Sequence, residues 1–159
     1  MSDEVEIGRG KRGRRAYTLD DIALVPSRRT RDPEDVNVGW QIDAYHVDIP
    51  LMAAPMDSVM SPETAIAFGR LGGIGVLDLD GLWTRYEDPT PILDHIAHLG
   101  EEESIATLQR VYSEPIKPSL ITARLKQLRE AGVVVAGKLS PQRVQKYWRA
   151  VVDAGVDLF

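Results

Sequence analysis

Cysteine is absent from all 159 residues. No disulfide, thiolate metal site or cysteine nucleophile can be assembled from them, and any thiol chemistry must come from elsewhere. No apolar run approaches the roughly 20 residues that span a bilayer, and Asp3, Glu4 and Glu6 precede the first apolar stretch. A soluble, cytoplasmic protein with no membrane partner is the expectation. An excess of positive charge is also missing, the net charge being -5, which argues against general nucleic-acid affinity. Arg9, Lys11, Arg12, Arg14 and Arg15 do form a local basic run between glycines. A solvated, mobile N-terminal segment is expected there, with a nucleic-acid arm as the alternative. No internal repeat or low-complexity tract occurs.

An apolar content of 43% supports a core of ordinary size for one domain. Val36, Val38, Trp40 and Ile42 alternate, and so do Tyr45, Val47 and Ile49, which predicts a short hairpin outside the main sheet. After Pro50 the runs become continuous: Leu51 to Ala54, Ile74 to Leu77, Val133 to Ala136 and Val156 to Phe159. Such runs suit strands buried on both faces of a parallel sheet. Helix punctuation separates them. Ser61-Pro62-Glu63 opens a helix that Gly72-Gly73 closes, Ser119 and Gly132 bracket another around Ile121, Leu125 and Leu128, and Ser140-Pro141 and Gly155 bracket a third. That third helix carries Val144, Tyr147, Trp148, Val151 and Val152 on one face. An excursion from about Asp78 to Pro118 holds two more helical stretches, at Thr90-Pro91 and over Glu101 to Tyr112. Alternating strands and helices give a doubly wound sheet or a (β/α)₈ barrel, and periodicity does not separate the two.

The segment Ile49-Pro-Leu-Met-Ala-Ala-Pro-Met-Asp-Ser-Val59 runs from a buried strand through a loop to the helix capped by Ser61. In a barrel such loops face the active site, and a helix N-terminus can present backbone N–H groups to an anion. Residues 54 to 58 are therefore candidate ligand-facing positions, the alternative being a tight turn without a ligand. Gly69-Arg-Leu-Gly-Gly-Ile-Gly-Val76 has the glycine density of a phosphate loop, but it follows a helix and precedes a strand. A dinucleotide fingerprint needs the opposite order, so helix termination is the expectation. His95 and His98 near Asp94 lack a third ligand and read as surface residues, and His46 has no evident partner. Glu101, Glu102 and Glu103 complement a helix dipole.

Three blocks resemble the IMP dehydrogenase/GMP reductase family. Tyr17-Thr-Leu-Asp-Asp-Ile-Ala-Leu-Val-Pro26 is similar to its "LTFDDVLLVP" block, Ile49 to Val59 to its "PLVSSPMDTV" block, and Ala65 to Leu77 to its "AIALARLGGIGVI" block. Ala131 to Gly137 and Val152 to Asp157 match the third and fourth barrel strands more loosely. The resemblance implies the first half of a (β/α)₈ TIM barrel, truncated after the fourth strand. Residues 1–49 would be an N-terminal segment with a hairpin, and 50–159 the first four strands. The helical insertion at about 78–118 would stand where many members carry two CBS modules, as in the IMP dehydrogenase-related subgroup that lacks them.

The resemblance further implies that Ala54 and Met56 contact a bound nucleotide, with Met56 packing on the base. Ala54 replaces the serine of many members, so a side-chain hydrogen bond would be missing. The implied reaction is oxidation of IMP by NAD with water to give XMP, in a potassium-dependent homotetramer. GMP reductase is the alternative within the family, and a non-catalytic nucleotide-binding or assembly fragment is the alternative outside it. The family's cysteine, NAD-contacting Asp, arginine-bearing flap and potassium site would all lie beyond Phe159.

Overall fold

The computed structural model describes residues 4–25 and 32–159, so Asp3 and Pro26, singled out above, lie outside the described residues. The chain divides into two compact units, Met1–Asn37 and Val38–Phe159. In the first, Glu4–Glu6 (β1) and Arg12–Arg14 (β2) pair antiparallel, with Glu4 opposite Arg14. Gly8 and Gly10 turn the chain at φ values of 77° and 71°, where glycine meets no steric penalty. Arg12 Nη1 lies 3.4 Å from Glu4 Oε2. The basic run takes part in an exposed hairpin: its glycines make the turn, and Arg14 and Arg12 lie opposite Glu4 and Glu6. Further on, Thr18 donates its N–H and hydroxyl to Asp21 Oδ2, both at 2.9 Å, closing a 3-10 turn over Leu19–Asp21.

The second unit begins with the expected hairpin, Trp40–Ile42 (β3) against Tyr45–Val47 (β4), which forms its own two-stranded sheet. Both strands are shorter than the apolar alternation. The parallel sheet consists of Met52–Ala53 (β5), Ile74–Asp78 (β6) and Ala136–Lys138 (β7), in that spatial order. The run at Val133 enters the sheet late. Val135 is fully buried just ahead of β7, and its carbonyl accepts from the N–H groups of Asp157 and Leu158 at 2.8 and 3.1 Å. Where a fourth strand was expected over Val156 to Phe159, the described residues form a single parallel bridge from Leu158 to Ala136, with Gly137 N–H donating to Leu158 O at 3.0 Å.

Pro62–Arg70 (α1) follows β5, and its N-cap is the predicted one: Ser61 Oγ accepts from Thr64 N–H at 3.1 Å. Gly72 ends it at φ 93°, the left-handed conformation of a C-terminal cap. After β6 come a 3-10 turn at Leu82–Thr84, then Thr90–Ala97 (α2), Glu101–Val111 (α3) and Pro118–Glu130 (α4). Pro141–Asp153 (α5) follows β7.

One buried cluster joins Ala65 of α1, Leu77 of β6, the predicted trio Ile121, Leu125 and Leu128 of α4, and Tyr147 and Val151 of α5. Each fully buried leucine contributes on the order of 2 kcal/mol through removal from water. The inward stripe of α5 is narrower than its apolar face, because Trp148 and Val152 stay 43% and 52% exposed. On the other side of the sheet, Ile74 and Ala136 pack with Val47 of the hairpin. The helices that cover β5, β6 and β7 thus share one face, and strand order runs without reversal. A doubly wound sheet carries helices on both faces and reverses its order. A singly wound α/β unit such as this one is consistent with part of a TIM barrel.

The excursion leaves the C-terminal end of β6 and is clamped at its base. Arg85, 5% exposed, donates through Nε and Nη2 to Asp80 O at 3.1 and 2.9 Å and through Nη1 to Glu114 O. Thr84, fully buried, donates its hydroxyl to Leu79 O at 2.9 Å, and its carbonyl accepts from Lys117 N–H at 2.8 Å. Arg124 of α4 reaches Trp83 O at 3.0 Å and Glu87 O at 2.5 Å.

Candidate functional site

The C-terminal ends of β5, β6 and β7 lie side by side, so the chain segments that follow them share one rim. The first is the loop after β5. Pro55 has no N–H to give, and the loop closes on itself: Met56 N–H donates to Ala54 O at 3.0 Å, and Val59 and Met60 N–H donate to Met56 O at 3.1 and 2.8 Å. Met60 is 3% exposed and pins the loop to the core, while Met56 remains 49% exposed. Ala54 is exposed beside it.

Met56 lines a cavity of about 430 Å³ together with Asp57, Asp78, Leu82, Leu108 and Tyr112. Ala54 is not part of its wall. The excursion supplies the opposite side, since α3 turns Leu108, 37% exposed, toward this space rather than into the core.

Two groups of acids border the rim. Asp57 Oδ2 accepts from Leu82 N–H at 2.7 Å and from the Tyr112 hydroxyl at 2.5 Å. Its Oδ1 is buried with no hydrogen-bond partner among the described residues. Gly81 sits against that carboxylate so closely that a Cβ there would fall 2.1 Å from Oδ1. Burial, then the hydrogen bond to the Asp57 carboxylate, pushes the Tyr112 hydroxyl well above the usual tyrosine range. In the second group, Asp78 Oδ1 accepts from Asp80 N–H at 2.9 Å and from Lys138 Nζ at 3.4 Å. Asp80 Oδ2 accepts from Ser140 N–H at 2.6 Å and lies 3.5 Å from Lys138 Nζ. Burial raises the Asp78 carboxyl, with the Asp57 and Asp80 charges adding to it and the Asp80 N–H and Lys138 opposing. The rim therefore combines an exposed thioether, an apolar wall and carboxylates in two bonding states.

At the α1 N-terminus few N–H groups are open to an anion. Pro62 lacks an N–H, Thr64 N–H is capped by Ser61 Oγ, Ala65 N–H donates to Ser61 O at 2.9 Å, and Glu63 adds negative charge in the first turn. The cap that starts the helix uses one of the donors a phosphate would need. The glycine-rich stretch ends α1 and enters β6, as its order in the sequence requires. His95 and His98 are exposed, and His98 Nδ1 contacts Asp94 O at 2.7 Å. His46 has a partner after all, Asp48 at 3.8 Å, in an exposed pair. Among the described residues no group of three or more His, Cys, Asp or Glu is placed to hold a metal ion, and no helix is long and apolar enough to cross a membrane.

Sequence reading missed Tyr112, Lys138 and the pairing of Asp57 with Leu82. Asp57 lies inside the motif that drew notice, but 55 positions separate it from Tyr112, and no local spacing signals a contact of that range.

Residues 16–158 match the model of the IMP dehydrogenase / GMP reductase domain family. An "Uncharacterized oxidoreductase" of Mycolicibacterium smegmatis is 43% identical over 159 residues, covering 97% of this chain and 42% of that protein. One of Mycobacterium tuberculosis is also 43% identical over the same extent. The Inosine-5'-monophosphate dehydrogenase of Methanocaldococcus jannaschii is 42% identical over 64 residues, 40% of this chain and 13% of that protein. Among solved structures, an IMP dehydrogenase/GMP reductase-like protein from Corynebacterium glutamicum superposes with a TM-score of 0.82 at 42% identity, covering 98% of this chain and 43% of that one. The chain thus spans less than half the length of these full-span relatives, and with a family match over nearly all of it, it belongs to the IMP dehydrogenase / GMP reductase domain family of oxidoreductases.

Proposed function

We propose that this chain is the N-terminal part of a purine-nucleotide oxidoreductase, and that the whole protein is an IMP dehydrogenase producing XMP and NADH from IMP, NAD and water. The observation that carries the reading is the exposed Met56 at the C-terminal end of β5, on the loop whose sequence block the family shares. In this reading the chain is the first half of a (β/α)₈ barrel, with the strands falling in residues 50–159, the lead-in in residues 1–49 and the insertion at about 78–118 standing in the place of CBS modules. The 54–58 loop forms one wall of the nucleotide pocket. Met56 packs its thioether against the base, and Ala54 offers its methyl group and backbone alone.

The residues present fit that wall and no more of the site, having neither a thiol nor a metal-ligating group among those described. NAD, when bound, would supply the acceptor for the hydride from purine C2. The attacking thiolate, the NAD contacts and the potassium site belong to residues outside this chain. A cytoplasmic homotetramer completes the reading.

The test is an absorbance assay of the full-length protein with IMP and NAD. NADH formation that depends on IMP is the expected result. NADPH consumption with GMP and release of ammonia, in place of NADH formation, would make it a GMP reductase. Nucleotide binding with neither turnover would leave the non-catalytic reading.

A further inference from the structure

The 54–58 loop has one side chain that ties it to the rest of the rim. Met56, Val59 and Met60 spend their N–H groups within the loop, whereas Asp57 reaches out to two other elements through a single oxygen. Leu82 N–H belongs to the turn after β6, and the Tyr112 hydroxyl belongs to the residue that ends α3. Hydrogen bonds to an ionised carboxylate are roughly twice as strong as neutral ones, so this tether outweighs any single contact inside the loop. Gly81 leaves the carboxylate no room on the other side.

Tyr112 is itself held. The Arg85 guanidinium lies 5.5 Å from its ring centroid, and the same guanidinium clamps Asp80 and Glu114, at the two ends of the excursion. The chain of contacts runs from the buried Arg85 through the Tyr112 ring and hydroxyl to Asp57, next to Met56.

We infer that Tyr112 is a positioning residue: through Asp57 its hydroxyl holds the 54–58 loop in the shape that presents Met56, so the helical excursion sets nucleotide affinity through that loop. The loop-holding half of this stands on the geometry above, and the affinity half rests on the proposed function.

The experiment uses the full-length protein with Tyr112→Phe, Asp57→Asn and the double variant, and Met56→Ala as a control for the site. Tyr112→Phe keeps the ring and its contact with Arg85 and removes only the hydroxyl. Amide hydrogen exchange is followed in segment 54–60 and in α4, and IMP affinity, KM and kcat are measured alongside. Loss of one charge-assisted bond predicts about tenfold faster exchange in 54–60, with α4 unchanged. A several-fold rise in KM at nearly constant kcat is expected as well. The double variant should be no worse than Asp57→Asn, because both changes act on the same Tyr112–Asp57 contact.

Unchanged exchange in 54–60 overturns the tether. Faster exchange with intact IMP affinity, while Met56→Ala weakens it, overturns the link to substrate. If Met56→Ala also leaves affinity intact, the proposed site fails, and the exchange result still decides the tether.

Discussion

The parallel sheet carries an instructive aspartate at each end, and the two are used in opposite ways. At the N-terminal end, Asp157 accepts from Val135 N–H at 2.9 Å, from Tyr45 hydroxyl at 2.8 Å and from Arg129 Nη2 at 2.6 Å, with its side chain 8% exposed. Neither of its oxygens is left without a donor. It locks the hairpin, α4 and the approach to β7 together. At the C-terminal end, Asp57 has one buried oxygen without a partner among the described residues and binds a tyrosine whose hydroxyl is pushed upward. A buried polar atom left unpaired costs on the order of 1–3 kcal/mol, and such costs concentrate where function requires them. In barrels the N-terminal face serves stability and the C-terminal face serves chemistry. Under the proposed function, the contrast between these carboxylates would be that division at the scale of two side chains.

The comparison can be broken most directly at Asp157. Asp157→Ala removes three bonds to a charged group and is expected to cost about 3 kcal/mol in urea unfolding, while leaving nucleotide affinity in the full-length protein unchanged. A comparable loss of affinity would erase the distinction between the two ends. Gly81→Ala should cost about 1–3 kcal/mol, less than Asp157→Ala, but it should also speed amide exchange in 54–60, since the new methyl group displaces the Asp57 carboxylate.

Acid sharpens the contrast further. Burial pushes the Asp157 carboxyl up, but the Arg129 guanidinium, the Val135 N–H and the Tyr45 hydroxyl outweigh it and hold it below its ordinary 3.8. Its contribution to stability is therefore fully present above pH 3.8 and is lost as pH falls through the lowered value of the folded state. Unfolding followed across that range should show a steep acid limb that Asp157→Asn flattens. On the alkaline side, the hydrogen bond to Asp157, then burial, raises the Tyr45 hydroxyl above 10.0, so its contribution persists below pH 10.0 and fades as pH rises through the folded value. Tyr45→Phe should remove that alkaline dependence. The smallest effect on stability is expected for Met56→Ala, within about 0.5 kcal/mol as for other exposed positions.

Much of the architecture was legible in the residues. Ser61-Pro62 and Ser140-Pro141 start α1 and α5 where they were expected to, Ser61 capping through its side chain and Ser140 without a side-chain cap bond. Gly72 and Gly155 follow their ends at positive φ, as Gly132 does after α4, which starts at Pro118 rather than at Ser119. The singly wound order was not legible, because apolar runs report burial and not which strand lies beside which. Strand limits shifted for a related reason. The run from Val133 is apolar because Val135 is buried before pairing begins, and Leu158 meets Ala136 through one bridge. The β1–β2 hairpin was hidden because its signal lies in Gly8, Gly10 and a cross-strand charge pair, not in an apolar face.

The site was legible only in part. The 54–58 loop stood out through its place between strand and helix, and Met56 within it through the family resemblance. Tyr112 read as one more apolar position of α3, and Asp57 as one more loop acid, since what joins them is tertiary contact. At the α1 N-terminus, the same Ser61 that announces the helix also takes up the Thr64 N–H.

The most direct test of the central claim is a calorimetric titration of IMP into the full-length protein and into its Met56→Ala variant. The account predicts binding by the wild type and a loss of about tenfold in the variant, the worth of roughly one buried apolar side chain against a base, with the melting temperature held. Equal affinity in the two proteins would contradict the placement of the nucleotide against the loop after β5.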